Sequence, residues 1–332
     1  MSDIFNLTEE QRRTVLTQVS NKTGLPGQAV EKDLWVTTLL QIVFTLPFAD
    51  KLVFKGGTSL SKVYHLIERF SEDIDLAIDR SMFGQEGDLT KRQTKKLRKD
   101  SSLFVKNTFA QTLRDAIAEQ GLGRFCVVVP EPDGERDNTY PEPRRIHILY
   151  KSVFGSAAYL QPEVQLEIGA RSLFEPAEQA HVESLVTSAF GNINTSLVRP
   201  AITTALPEKT FLEKAFLLHE LFTTDRAVRA DRKSRHLYDL EKMMDRPFAV
   251  NAIRDDELWN TIAHHRGVFT SVSGVDYAPD IRKRICLVPP AEYLDTWEDD
   301  YRSMQQSMIY GVSLSFGKLL ERMRALEDRF RR

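Results

Sequence analysis

Asp73 and Asp75 stand one residue apart in Asp73-Ile74-Asp75-Leu76-Ala77-Ile78-Asp79. In an extended chain that spacing turns both carboxylates to one face, while Ile74, Leu76 and Ile78 take the other. Paired carboxylates on one strand face hold hard cations such as Mg²⁺, which bridge phosphate oxygens and stabilise charge during in-line displacement. Upstream lies Gly56-Gly57-Thr58-Ser59. The backbone N–H groups of a glycine turn that opens a helix form an anion site, and glycine lets the main chain come close to a phosphate. Taken singly, a Gly pair is a turn and a D-x-D a solvated strand face. In the order strand, Gly turn, helix, acidic strand, they describe a site for a nucleoside triphosphate.

The elements that must position these groups follow from periodicity. Lys51 to Lys55 reads as a short strand, because Leu52, Val53 and Phe54 form an apolar run that stops at the glycines. Leu60, Val63, Tyr64, Ile67 and Phe70 recur at helical spacing and predict a helix opening just after them. Asp73 to Asp79 is the second strand. Earlier residues look helical, with Leu7-Thr8-Glu9-Glu10-Gln11 as a capped entry and Trp35 to Leu46 as an apolar helix ending before Pro47. A long helix is expected from about Thr90 to Glu119. Phe125 to Val129 and Ile146 to Tyr150 read as strands around Pro130 to Pro143, a mobile loop candidate. Val164 to Ile168 is expected to close the sheet. After Pro207 the pattern is mainly helical. Two domains are therefore expected, 1–200 and 201–332, with a boundary near Val198 to Pro207.

The stretches Phe54-Lys55-Gly56-Gly57-Thr58-Ser59-Leu60-Ser61-Lys62 and Arg69-Phe70-Ser71-Glu72-Asp73-Ile74-Asp75-Leu76 resemble the AbiEii abortive-infection toxin family of nucleotidyltransferases. Glu31-Lys32-Asp33-Leu34-Trp35 resembles that family's N-terminal helix. The resemblance implies an α/β (α+β) nucleotidyltransferase fold, with a small mixed sheet followed by a helical domain that closes the nucleotide site. It assigns Lys55, Gly56, Gly57, Thr58, Ser59 and Ser71 to nucleotide binding. It also implies a toxin of a bacterial toxin–antitoxin or phage-defence pair, with an antitoxin encoded beside it. Relatives modify the acceptor end of transfer RNA.

Three further residues enter with that resemblance. In Glu163-Val164-Gln165-Leu166-Glu167-Ile168, polar and apolar residues alternate as in a half-buried strand, on which Glu167 alone would be an exposed edge residue. Nucleotidyltransferase folds place a third carboxylate on a neighbouring strand, where Glu167 could complete the metal site or take the proton of an attacking hydroxyl. Lys214 falls at the edge of the stripe Phe211, Ala215, Leu218, Phe222, so it must snorkel or meet an anion. In the family, the lysine of this helix reaches the nucleotide phosphates. Ser234-Arg235-His236-Leu237-Tyr238-Asp239-Leu240 resembles the family's Tyr-Asp-Leu segment, which makes Asp239 a catalytic candidate. Arg235 and Asp239 by themselves read as an i,i+4 ion pair on a solvated face, contributing about 0.3–0.5 kcal/mol.

Composition fits an ordinary enzyme. A formal net charge of −2 over 332 residues argues against a uniformly basic nucleic-acid coat. Cys126 and Cys286 lie far apart without C-x-x-C spacing, so neither a zinc site nor a disulfide framework is implied. The polar start and the absence of a long apolar run make the cytosol the expected compartment, with no membrane partner. Lys91, Arg92, Lys95, Lys96, Arg98 and Lys99 form one basic cluster, and Arg226, Arg229, Arg232, Lys233 and Arg235 another. Such runs are often solvated helix faces, and they are also the first candidates for gripping RNA phosphates. His264-His265 has no third ligand nearby in sequence and reads as surface or packing. The expected activity is Mg²⁺-dependent transfer of a nucleoside monophosphate from an NTP to an acceptor hydroxyl, first of all the tRNA 3′ end. A small-molecule or protein hydroxyl is the alternative acceptor, and a nucleotide-binding regulator without turnover the alternative class.

Overall fold

The computed structural model describes residues 2–71, 73–134, 140–155, 160–191, 193–194, 197–278 and 280–332. Glu72 of the acidic motif and 135–139 of the Pro130 to Pro143 loop lie outside the described residues. The chain forms two compact units, Met1–Val63 with Ser71–Thr204, and Tyr64–Phe70 with Ala205–Arg332.

In chain order the first stretch supplies β1 (Ser2–Asp3), α1 (Glu9–Thr23), α2 (Gly27–Val43), β2 (Leu52–Lys55), α3 (Gly56–Lys62), β3 (Asp73–Ile78), α4 (Lys91–Phe104) and α5 (Ala110–Glu119). It continues with β4 (Cys126–Pro130), β5 (Arg144–Tyr150), β6 (Glu163–Gly169), β7 (Ala177–Ala180), α6 (Leu185–Ala189), β8 (Ile193–Asn194) and β9 (Ile202–Ala205). Seven of these strands make one mixed sheet in the order β4-β5-β6-β3-β2-β9-β7, while β1 and β8 pair separately. One face of the sheet is apolar. Ile74, Leu76, Ile78, Val164, Leu166, Ile168, Ile146, Ile148 and Val128 are buried there, and helices α2, α4 and α5 pack against the sheet. Each such side chain contributes about 1.5–3 kcal/mol by leaving water. Helix α2 is buried along most of its length, which explains why its sequence is apolar without a clear stripe.

The helix entries follow their capping signals. Thr8 and Gln11 form a reciprocal capping box at α1, and Thr90 and Gln93 do the same at α4. The helix expected over 90–119 is continuous but carries a π turn at Val105–Phe109. There Phe48 packs on Phe104 and Phe109 at 5.2 and 5.1 Å.

Two expectations are corrected. Val164 to Ile168 does not close the sheet: β6 lies inside it, and β9 and β7 extend it beyond β2. The helix expected through Phe70 stops at Lys62. His65 takes a left-handed φ of 51°, and residues 64–70 join the second unit. There Phe70 N–H donates to Met308 O at 2.7 Å, and the Glu68 carbonyl accepts from Tyr310 N–H at 3.1 Å. The apolar spacing of this segment serves tertiary pairing, and strand-like partners replace the i→i−4 ladder a helix would need.

The second unit contains α7 (Pro207–Thr223), α8 (Ser234–Met243), α9 (Pro247–Arg254), α10 (Asp256–Phe269), α11 (Leu294–Ser307) and α12 (Phe316–Arg331). Pro207 sits at the first position of α7, where its missing N–H costs nothing. The core is aromatic: Trp259 meets Phe216 at 4.3 Å and Phe330 at 5.3 Å, and Phe222 meets Trp297 at 4.9 Å. No described helix is long and apolar enough to cross a membrane.

Candidate active site

The polar face of the sheet gathers the acids by register. Strand β3 runs parallel to β6 with Asp73 opposite Gln165 and Asp75 opposite Glu167. It runs antiparallel to β2 with Asp75 opposite Lys55, and β6 in turn sets Glu167 opposite Arg145 of β5. Opposed residues share a face. Across four strands the row therefore reads Lys55, Asp75, Glu167, Arg145, with cations flanking two acids. Asp73 and Asp75 are half-buried.

Glu167 is drawn to one side of this row. Its Oε1 accepts from Arg145 Nε at 2.8 Å and from Gln165 Nε2 at 3.1 Å. The hydrogen bond to Glu167 also holds the Arg145 guanidinium above its ordinary value, with Asp73 adding to the effect. Among the described residues no three His, Cys, Asp or Glu side chains gather as a ready-made metal cage. An Mg²⁺ site for phosphoryl chemistry does not need one, because it takes one or two carboxylates and completes its shell with water and phosphate oxygens. Asp73 and Asp75 match that donor set.

The Gly turn is shaped around the acids. Gly56 has a φ of 83°, a left-handed conformation that L side chains rarely adopt, and a Cβ there would overlap the Asp75 carboxylate. Glycine is thus favoured on two separate grounds. Gly57, Thr58 and Ser59 form the first turn of α3, where backbone N–H groups lack helical partners. The hydroxyls turn inward. Thr58 donates to the Asp73 carbonyl and pairs with the Ser71 hydroxyl at 2.8 Å, and Ser59 donates to Gly56 O at 2.9 Å. Thr58 and Ser71 therefore tie the turn to the start of β3. Lys62 pairs with Asp33 of α2, whose other oxygen accepts from Leu185 N–H at 2.7 Å.

The second unit encloses its own charges. Asp239 of α8 is fully buried and accepts a bidentate pair from Arg69, Nε and Nη2 each at 2.7 Å. Lys214 Nζ lies 2.9 Å from Asp239 Oδ2, so this lysine meets an anion instead of snorkelling. Burial alone would raise the Asp239 carboxyl, but Arg69 and Lys214 outweigh it and bring it down to about 2. Burial also pulls Lys214 below the ordinary lysine value, with Asp239 opposing it. The solvated pair of Asp239 with Arg235 is replaced by this enclosed one. His236, beside Lys214, is pushed far below its ordinary value, first by burial and then by the neighbouring cation.

Periodicity alone missed Arg69 and Arg145. Arg69 lies on a predicted helix that does not form, and its partner is 170 residues away. Arg145 could have been found, since it precedes an apolar alternation and must share the polar face of its strand. His265 stacks on Phe269 at 4.6 Å, in keeping with a packing role for the His pair.

Residues 38–322 match the family model described as nucleotidyl transferase AbiEii toxin, type IV toxin–antitoxin system. No curated protein matches the sequence. Among solved structures, MenT4, a nucleotidyltransferase toxin from Mycobacterium tuberculosis H37Rv, aligns over 98% of each chain with 14% identity and a TM-score of 0.49. JHP933 from Helicobacter pylori aligns over 92% of this chain and 93% of its own, with 14% identity and a TM-score of 0.42.

Proposed function

We propose that this chain, which belongs to the AbiEii family of nucleotidyltransferase toxins of type IV toxin–antitoxin systems, transfers a nucleoside monophosphate from an NTP to an acceptor hydroxyl, with the tRNA 3′ end as first acceptor. The family pairing implies a cognate antitoxin. The observation that carries the reading is the acid row on the polar face of the sheet, with Asp73 and Asp75 on β3 beside a Gly56 where a side chain would be strained and would overlap Asp75.

In this reading Asp73 and Asp75 hold Mg²⁺, which when bound supplies charge neutralisation on the phosphates. The backbone of Gly56 to Ser59 takes triphosphate oxygens, and the Thr58 and Ser71 hydroxyls keep that turn against β3. Lys55 adds a cation at the edge of the acid row. Glu167, held by Arg145 and Gln165, stabilises the positive end of the row and orients Arg145 toward developing phosphate charge. Such sites act by positioning and fixed electrostatics, so each contributing group is worth several kcal/mol in the transition state. Lys214 and Asp239 are assigned to the same reaction on the family likeness, Lys214 as a phosphate contact and Asp239 as the anion that keeps it in place.

An RNA acceptor is supported by α4, where Lys91, Arg92, Lys95, Lys96, Arg98 and Lys99 are all exposed. Phosphate contacts of this kind are sequence-tolerant and salt-sensitive. The test is incubation with each α-labelled NTP, Mg²⁺ and either total cellular RNA or total protein. Label in the RNA fraction that is lost in Asp75→Asn supports the reading. Label in protein alone removes the tRNA assignment, and no label in either fraction together with no release of pyrophosphate removes the transferase assignment.

A further inference from the structure

We propose that His147, oriented by Glu163, is the general base that takes the proton from the acceptor hydroxyl; this rests on the transferase reading above. The role needs a group on the acid face whose lone pair is accessible and whose orientation is held. Glu167 is the obvious candidate by position, yet its Oε1 already accepts from Arg145 and Gln165. Taking up a proton on that oxygen would give up both bonds.

His147 lies on the same face one step further along. Register sets Asp73 opposite Gln165, and Gln165 opposite His147. Two strand spacings separate the backbones of Asp73 and His147, roughly 10 Å, with Gln165 between them turned toward Glu167, so a phosphate and an attacking hydroxyl would lie above Gln165, between the two side chains. His147 Nδ1 contacts Glu163 Oε1 on β6. That contact fixes the ring, with Nδ1–H donated to the carboxylate and the Nε2 lone pair left to accept a proton. Both side chains are about 30% exposed, at 30 and 29%, so the dyad is supported by the sheet and open to solvent.

The surroundings suit a base. Charged groups near His147 are Arg145 on its own strand and Glu163 and Glu167 on β6. On the other side β4 sets only Val129 against it, with Glu131 just beyond the strand, bonded to Arg145 N–H at 3.2 Å. Past His147 the same face continues as Val127, Val129 and Leu149, all exposed, an uncovered floor over which an acceptor can approach.

The step balances. The acceptor O–H bond breaks and its proton passes to His147 Nε2. The freed oxygen pair forms the bond to the α-phosphorus, and the bond from α-phosphorus to the bridging oxygen breaks, so that pyrophosphate leaves with that electron pair. The imidazolium then returns its proton to water or to pyrophosphate.

The experiment measures transfer of α-labelled NTP, in the RNA and protein fractions separately, from about pH 5 to about pH 9. It compares wild type, His147→Gln, Glu163→Gln, Glu167→Gln and Asp75→Asn, each checked for an unchanged melting temperature. His147→Gln is expected to lower kcat by about 10²–10³-fold with an unchanged KM for NTP, and to remove the acid limb of the kcat profile. Glu163→Gln is expected to keep the limb and lose about tenfold, as an orienting group does. Retention of the acid limb in His147→Gln, or its loss in Glu167→Gln alone, overturns the assignment. A folded wild type that deposits no label in either fraction and releases no pyrophosphate overturns the transferase reading and the base with it; a wild type that does either leaves the reading standing and tests the base alone.

Discussion

The two units carry similar acids in opposite settings. On the sheet, Asp73 and Asp75 sit half-buried on a face whose floor is a strand and whose flank is a Gly turn. In the helical unit, Asp239 is 0% exposed and its carboxylate is consumed by Arg69 and Lys214. The first arrangement keeps its carboxylates half-buried on the polar face of the sheet; the second encloses its carboxylate among the protein's own cations. A carboxylate of the first kind can be removed with little effect on folding. One of the second kind cannot, because two cations would stay buried without a counter-charge.

The largest expected effect tests that contrast directly. Asp239→Ala should lose about 3–5 kcal/mol of unfolding free energy, read by urea denaturation. Asp75→Asn should stay within about 0.5 kcal/mol of wild type while its transfer rate falls by at least about 10³-fold. Equal stability losses in the two variants would erase the distinction.

A pH titration of stability sharpens it. His219 accepts from Cys286 N–H at 3.1 Å, so it is neutral when folded, and burial lowers it to about 4. A base lowered in the folded state contributes stability that is full above its unfolded value of 6.5 and declines as pH falls from there to about 4. The loss should amount to roughly 3 kcal/mol. Asp239, lowered from 3.8 to about 2, keeps its contribution above 3.8 and gives it up only below that value. Denaturation midpoints measured from about pH 7 to about pH 3 should therefore fall first through the window that His219 shares with His236, which is also held low. His219→Asn, which retains an acceptor for Cys286, should lessen that first fall and leave the part that His236 contributes.

Gly56→Ala comes next. The left-handed backbone and the overlap with Asp75 should cost about 1–3 kcal/mol in stability, with a loss of transfer out of proportion to it, measured on the same label assay. The smallest effect concerns the surface of α4. Reversing Lys91, Lys95 and Lys99 to Glu should change stability by less than about 0.5 kcal/mol, yet raise the KM for RNA and weaken its salt dependence. An unchanged salt slope would mark α4 as a solvated face.

The acid face was readable because a two-residue period states its own geometry: Asp73 and Asp75 alternate with Ile74 and Leu76, and Glu167 with Leu166 and Ile168. The glycines were readable because turn and helix start leave few other choices. What stayed hidden was tertiary. Tyr64 to Phe70 shows helical spacing, yet its hydrogen bonds go to residues 308–311. Strands β7 and β9 are four residues each, too short and too polar to stand out as alternation. The pair Arg69–Asp239 joins an apparent surface arginine to an apparent surface aspartate, and no local pattern announces that both are buried.

The excursion at 64–70 has a consequence for how the chain is made. Val63 and Ser71 belong to the first unit, so residues 64–70 must be threaded into a unit whose remainder, Ala205–Arg332, is synthesised much later. Arg69 leaves the ribosome 170 residues before its partner Asp239, an interval of roughly 10–30 s at ordinary elongation rates. During that time the ion pair with Asp239 cannot form. A message cut short after residue 204 would encode every strand residue of the sheet but Ala205 and none of the anchor.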